Sequence, residues 1–245
     1  MIKLINSFDL PSVNFTDGFS VTKIKANFLS YKTDYPFLLT WNQLNEKGVV
    51  TALIQKLENA VFIVAKASAD LPEIKDFIDV IGCSSVSATP EILSGLSYKF
   101  NEYQVLAFGG KSKGEPLPYP DIKKVYSLLF GEKNESIRPT DFEGFYVDLS
   151  HKIRRENAAA LTLENAVCVA SHITNDSAVI SGVAVQNAAR SRGLGNEILT
   201  KMLNALGNKT VYVAAEESVL PFYIKNGFKK SHKIAIYETE EIKLC

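Results

Sequence analysis

Ser177-Ala-Val-Ile-Ser-Gly-Val-Ala-Val185-Gln-Asn-Ala-Ala-Arg190-Ser-Arg192-Gly193-Leu-Gly195-Asn-Glu-Ile-Leu-Thr-Lys-Met-Leu-Asn-Ala-Leu206 is the stretch whose reading decides the fold. Ser177 to Val185 is β-rich, apolar and of strand length. A short polar turn with two arginines and two glycines follows. Leu194, Ile198, Leu199, Met202, Leu203 and Leu206 then recur at helical spacing, and Gly207-Asn208 ends the helix. Strand, glycine turn and helix in that order make an anion site. The first turn of a helix carries unpaired N–H groups and the positive end of its dipole. Gly193 and Gly195 let a phosphate reach the backbone without a Cβ in the way. Arg190 and Arg192 add positive charge, and no carboxylate lies between Gln186 and Asn196.

An ordinary helix start can carry the same glycines, so what comes after carries the argument. Lys209 to Ala214 reads as a second strand, and Pro221-Phe222-Tyr223-Ile-Lys225-Asn-Gly227-Phe228 as a short helix closed by glycine. The ordered pair Arg190-x-x-Gly193-x-Gly195 and Phe222-Tyr223-x-Lys225-Asn-Gly227-Phe228 resembles the GNAT superfamily of acyl-CoA-dependent N-acyltransferases, over roughly residues 120–240. The resemblance implies an α/β fold with a mixed sheet. It implies acetyl-CoA or coenzyme A as cofactor, with the pyrophosphate on Arg190, Ser191, Arg192, Gly193, Leu194, Gly195 and Asn196. Phe222 and Lys225 fall beside that ligand. A bulge near the end of the 179–185 strand is implied too, freeing a backbone amide among Val183, Ala184 and Val185. Gly182 is compatible with such a bulge. Tyr223 would sit beside the thioester sulfur as the acid, since an unperturbed phenol is protonated at neutral pH.

The general base stays open among Glu164, Glu216, Glu217, Asp148 and His151, or a water held by one of them. Glu216 stands where family members often carry an asparagine. The helix preceding the first central strand places Asp148, His151 and Arg154 near one another, with Arg155 one turn on. In the resembled fold such a helix borders the acceptor cleft, where an aspartate could hold an ammonium and an arginine a carboxylate. The same residues also suit a solvated helix face. His172 and His232 read as structural or exposed.

The bulk composition bounds the rest. The chain has 245 residues, enough for one large domain or two small ones. Lys+Arg and Asp+Glu are 27 each, so no global field favours nucleic acid or an acidic membrane. The N-terminus lacks an apolar signal core, and no long apolar run suggests a membrane span. Cys83, Cys168 and Cys245 are scattered and lack metal spacing, which fits a reducing cytoplasm.

Before the decisive stretch, residues 1–48 are rich in aromatics (Phe8, Phe15, Phe19, Phe28, Tyr31, Tyr35, Phe37, Trp41), expected in packing rather than in a ligand cage. From Val49 the order reads β-β-α-β-α-β, with a hairpin at Glu58-Asn59, a helix from Leu71 to Val80, a strand from Ile81 to Ala88, a helix from Pro90 and a strand from Tyr103 to Phe108. Leu57-Glu-Asn-Ala-Val61 recurs as Leu163-Glu-Asn-Ala-Val167, and both halves are read as copies of one unit. The first copy lacks the glycine turn. Asp70 and Glu73 form an expected capping box there, satisfying the helix amides and repelling a phosphate. A second capping box is expected at Thr140-Asp-Phe-Glu143. The expected organisation is a degenerate GNAT-like domain over 1–110, a Gly/Pro-rich linker over 111–120 and a catalytic domain over 121–245.

The expected activity is transfer of an acetyl group from acetyl-CoA to a primary amine, on a small molecule or a peptide N-terminus. A non-catalytic acyl-CoA-binding module is the alternative from another class. Retention of Tyr223 together with an intact turn speaks against it.

Overall fold

In a computed structural model, described over residues 1–6, 10, 14–110, 114–131 and 141–239, the chain divides into two compact units. The first comprises 1–104 with 232–245, the second 105–231.

The first unit contains β1 (Ile2–Leu4), α1 (Gly18–Tyr31), β2 (Leu38–Leu44), β3 (Val50–Leu57), β4 (Ala60–Ala65), α2 (Leu71–Ile81), β5 (Ser85–Ala88) and α3 (Pro90–Gly95). Its strands follow in the order β1-β2-β3-β4-β5-β11, where β11 (Lys229–Glu238) is the last of the described strands in sequence. Strands β4 and β5 are parallel, joined through α2, and the others of this sheet pair antiparallel. Its core gathers Trp41, Ile54, Ile63, Ile74, Ile78, Val86 and Leu93. The aromatics of residues 15–41 do pack: Phe19, Phe28, Tyr31 and Trp41 are buried. Helix α2 extends through Ile81 and stops at Gly82, so the following strand begins at Ser85, not at Ile81.

The second unit contains the end of β6 (Asn101–Gly109), α4 (Ile122–Phe130), α5 (Phe142–Arg154), β7 (Ala159–Thr162), β8 (Ala166–Ile173), β9 (Ser177–Val185), α6 (Leu194–Leu206), β10 (Thr210–Ala215) and α7 (Leu220–Lys225). Its sheet order is β6-β10-β9-β8-β7. The α6 stripe read from the sequence is the buried face: Ile198, Leu199, Met202, Leu203 and Leu206 pack with Cys168, Ile180, Val213, Tyr223 and Phe228. Helices α4 and α5 cover the other side of β7–β9, with Val125, Leu129 and Leu149 packed in one cluster with Val167 of β8.

Both halves of the chain therefore run β-β-β-α-β-α-β, with β2 the member missing from the sequence reading. The repeated pentapeptide does not mark equivalent places. Leu57–Val61 turns β3 into β4, the strand leading to α2, whereas Leu163–Val167 turns β7 into β8, one hairpin earlier in its half. The duplication lies in the order of elements. The final strands are also exchanged. The neighbour of β5 is not β6, the next strand in its own half, but β11, in register Ala235↔Ala88 to Glu238↔Ser85. Strand β6 lies beside β10 instead, and its Leu106 is fully buried in the second unit's core.

Candidate active site

Strands β9 and β10 run parallel and pair only at Thr210↔Ser177, Val211↔Ala178 and Tyr212↔Val179. Beyond that register β9 continues to Val185 and β10 to Ala215, so the two part towards their C-terminal ends. Residues Val183 and Val185 face the α6 side of β9, and Ala184 faces α4 and α5. The irregularity in β9 lies at Ser181: Gly182 pairs with Val169 and Ile180 with Ala170, leaving Ser181 outside the ladder. It precedes Gly182 rather than falling among residues 183–185.

The turn after β9 begins with a single 3₁₀ turn at Asn187–Ala189. Arg190 Nε donates to Val185 O at 3.2 Å, tying the turn back to the strand it leaves. Ser191 and Gly193 are left-handed, with φ of 63° and 84°. An added Cβ on Gly193 would meet nothing within 4 Å, so the backbone there is open to a ligand. Gly195 is constrained by packing instead, for its Cβ would lie 3.3 Å from Phe222 Cε2 and 3.6 Å from Val185 Cγ2.

Capping sets α6 apart. Helices α1, α2, α4 and α5 start at Asp17, Asp70, Asp121 and Asp141, each carboxylate accepting from a first-turn N–H. Helix α6 starts at Gly193 with no side-chain cap. Among the described helices longer than six residues it alone leaves its leading amides to another partner. Arg192 is exposed beside them, and Glu197, one turn in, pairs with Lys201 at 3.5 Å. Open backbone, uncapped amides and nearby guanidinium groups fit a pyrophosphate.

Tyr223 lies on α7, 8% exposed, its ring 5.0 Å from Phe222 and 5.5 Å from Phe228. Burial pushes its phenol well above the ordinary tyrosine range, and nearby Cys168 pushes the same way. The group is thus held in its protonated, donating form. Lys225 is exposed in the last turn of α7. Glu216 follows the end of β10, and Glu164 sits at the β7–β8 tip, where neighbouring Asn165 O accepts from Gln186 N at 3.0 Å. Both carboxylates are exposed at the end of the sheet that carries the glycine turn.

The α5 residues are arranged differently. Asp148 pairs with Lys152 at 3.1 Å, while His151 Nδ1 lies 3.4 Å from Arg155 Nη1. Arg154 is exposed at the end of α5, and Asn157 bonds both ways with Ile173, next to the start of β9. That end of the sheet is opposite the glycine turn, so Arg154 is not brought together with Gly193 and Tyr223. Sequence reasoning passed over Lys152, whose side chain is only 4% exposed, because a lysine in an amphipathic pattern reads as surface. It also gave no role to Asn226, which bridges α7 to Asn196. His172 is buried with Nδ1 2.7 Å from Ser171 Oγ, and His232 Nε2 lies 2.8 Å from Asp17 Oδ1.

The equivalent place in the first unit is closed. Asp70 Oδ1 accepts from Glu73 N at 3.0 Å, but the reciprocal half of the expected capping box is absent. Gln43 of β2 takes it over, its Oε1 accepting from Asp70 N at 3.0 Å and its Nε2 donating to Glu73 Oε2 at 2.7 Å. At α5 the cap is Asp141, accepting from Gly144 N at 2.7 Å, and Thr140 lies outside the described residues.

Residues 135–240 match the family model of the acetyltransferase (GNAT) domain. Over most of its length the chain has the fold of a GCN5-related N-acetyltransferase from Sphaerobacter thermophilus, with TM-score 0.58, 13% identity, and 90% of this chain and 91% of that one covered. A GCN5-related N-acetyltransferase from Kribbella flavida gives 0.52 at 11% identity, covering 91% and 97%. A tandem GNAT protein from the clavulanic acid biosynthesis pathway gives 0.52 at 9% identity, covering 98% and 99%. No curated protein matches the sequence. Residues 135–240 thus resemble a GNAT acetyltransferase domain in sequence, and over most of its length the chain has the fold of GNAT proteins, a tandem one among them. The match to this domain supports acyl transfer as the class of activity. Among the described residues no helix is long and apolar enough to cross a membrane, and no cluster of side chains is set to hold a metal ion.

Proposed function

We propose that the protein transfers an acetyl group from acetyl-CoA to a primary amine, on a small molecule or a peptide N-terminus. The observation that carries this reading is the uncapped head of α6, opening at Gly193 where β9 and β10 separate. The amides of residues 194–196 and the Arg190 and Arg192 side chains would hold the pyrophosphate. The pantetheine arm would enter the gap between the strands and pair with β9 along Val183–Val185. Acetyl-CoA supplies an activated thioester carbonyl. The amine nitrogen forms its bond to that carbon as the carbon–sulfur bond breaks, and the Tyr223 hydroxyl gives the departing sulfur its proton. Glu216 and Glu164 are the carboxylates at this end of the sheet, and one of them, directly or through water, takes the proton lost by the amine.

A donor must be held before a tyrosine can act on it, so one assay tests both parts. Acetyl-CoA is incubated with a panel of amines and free thiol is measured. Thiol release that requires protein and amine together is expected. Acetyl-CoA bound without any amine-dependent release across small amines, amino acids and peptides would leave only a binding module.

A further inference from the structure

The tyrosine helix and the phosphate turn are joined by one side-chain bridge whose polarity can be worked out from chemistry alone. Asn226 Nδ2 lies 2.8 Å from Phe222 O and 3.0 Å from Asn196 Oδ1. A backbone carbonyl can only accept, so the end of Asn226 facing Phe222 O must be its NH₂. The same NH₂ meets Asn196, which must therefore present its oxygen to α7. The NH₂ of Asn196 is left on the other prong of its amide. Asn196 is the third residue of α6, in the turn whose amides have no side-chain cap, and helical side chains lean towards the N-terminus. Phe222 packs against Gly195 from the same side, so α7 buttresses this turn through both an apolar and a polar contact.

We propose that Asn226 is a positioning residue: it locks the Asn196 amide so that its NH₂ is a fixed donor to the coenzyme A phosphates at the head of α6. This rests on the function proposed above. An asparagine free to turn over would have to lose that freedom before its nitrogen could hold a phosphate. With Asn226 in place only the donating face is available. The bridge also couples the cofactor's phosphates to the helix that carries Tyr223.

The test uses the full chain and two donors, acetyl-CoA and acetylpantetheine, which lacks the pyrophosphate. Coenzyme A affinity is measured by calorimetry, and KM for each donor by thiol release. Asn196→Ala and Asn226→Leu, both uncharged, should each weaken coenzyme A binding about 10-fold, the scale of one hydrogen bond to a charged group. The double variant should be no weaker than Asn196→Ala, because Asn226 reaches the phosphates only through Asn196. KM for acetylpantetheine should be unchanged throughout. Equal losses with both donors, or additive losses in the double variant, would reduce the bridge to packing and overturn the proposal. Should Asn226→Leu fail to fold, Asn196→Ala alone decides, and affinity within twofold of wild type overturns it. Wild-type protein that binds no coenzyme A would instead overturn the proposed function, and this inference with it.

Discussion

Replacing Gly193 with alanine separates what the glycine does for folding from what it does for a ligand. Its φ of 84° is left-handed, and a Cβ there meets no protein atom. The only cost to the unliganded protein is conformational, about 1–2 kcal/mol for an L-residue in that region. In a chain of this size such a loss lowers the unfolding midpoint by roughly 2–8 °C. The methyl group projects into the space left for a phosphate and disturbs at least one N–H bond to it. A hydrogen bond to a charged group is worth about 1.5–3 kcal/mol, so affinity should fall roughly 10- to 150-fold. Gly48, in the β2–β3 connection, supplies the control: its φ is 74°, and its added Cβ also meets nothing within 4 Å. Calorimetric titration with coenzyme A, beside thermal unfolding of both variants, separates the two effects. Gly193→Ala and Gly48→Ala should lose similar stability, and only Gly193→Ala should lose affinity. A folded Gly193→Ala protein binding within threefold of wild type would refute the reasoning.

Further expectations bear on other parts of the account. Tyr223→Phe keeps the buried ring but removes the donor, so turnover should fall about 100- to 10,000-fold with acetyl-CoA affinity unchanged; a loss under about threefold would return Tyr223 to a packing role. Burial raises the Tyr223 phenol in the folded state, so its contribution to stability is complete below the unfolded value near 10 and fades as pH rises from there towards the folded value. Denaturation curves between about pH 9 and 11 should therefore show a shallower fall for Tyr223→Phe than for wild type, and identical slopes would contradict that assignment. Leu106→Ala empties a fully buried site supplied to the second unit by β6, at a cost of about 3–5 kcal/mol in urea unfolding; a loss below about 1 kcal/mol would mean that β6 is dispensable there. Asp148→Asn removes one charged partner of the buried Lys152 side chain and should lower the unfolding midpoint by a few degrees without changing coenzyme A affinity, measured by thermal shift and calorimetry.

The stretch from Ser177 to Phe228 was legible because each signal there coincides with its structural cause. The α6 stripe is the buried stripe, and Gly193 is where the helix starts. Residues 1–48 were opaque for the converse reason. Helix α1 buries Ser20, Thr22, Asn27 and Ser30, so its core face does not read as apolar. In β2, Thr40 and Gln43 are buried while Leu39 is 38% exposed, which inverts the expected alternation. Missing β2 concealed Gln43, and with it the half of the Asp70 cap that Glu73 does not provide. The exchange of β6 and β11 left no mark in the sequence either, since an apolar strand carries the same pattern whichever neighbour it pairs with. Around the tyrosine, the motif located α7 but not the Asn226–Asn196 bond, which joins residues 30 apart in sequence.

The claim at the centre of this account is that coenzyme A is held by the backbone at the head of α6, and nowhere in the first half. Backbone amide resonances followed during a coenzyme A titration test it most directly. The amides of Gly193, Leu194, Gly195 and Asn196 should move downfield and saturate at one ligand per chain, while those of Leu71, Glu73 and Ile74 in α2 stay fixed. Saturation at two ligands per chain, or shifts at α2 with none at 193–196, would contradict it.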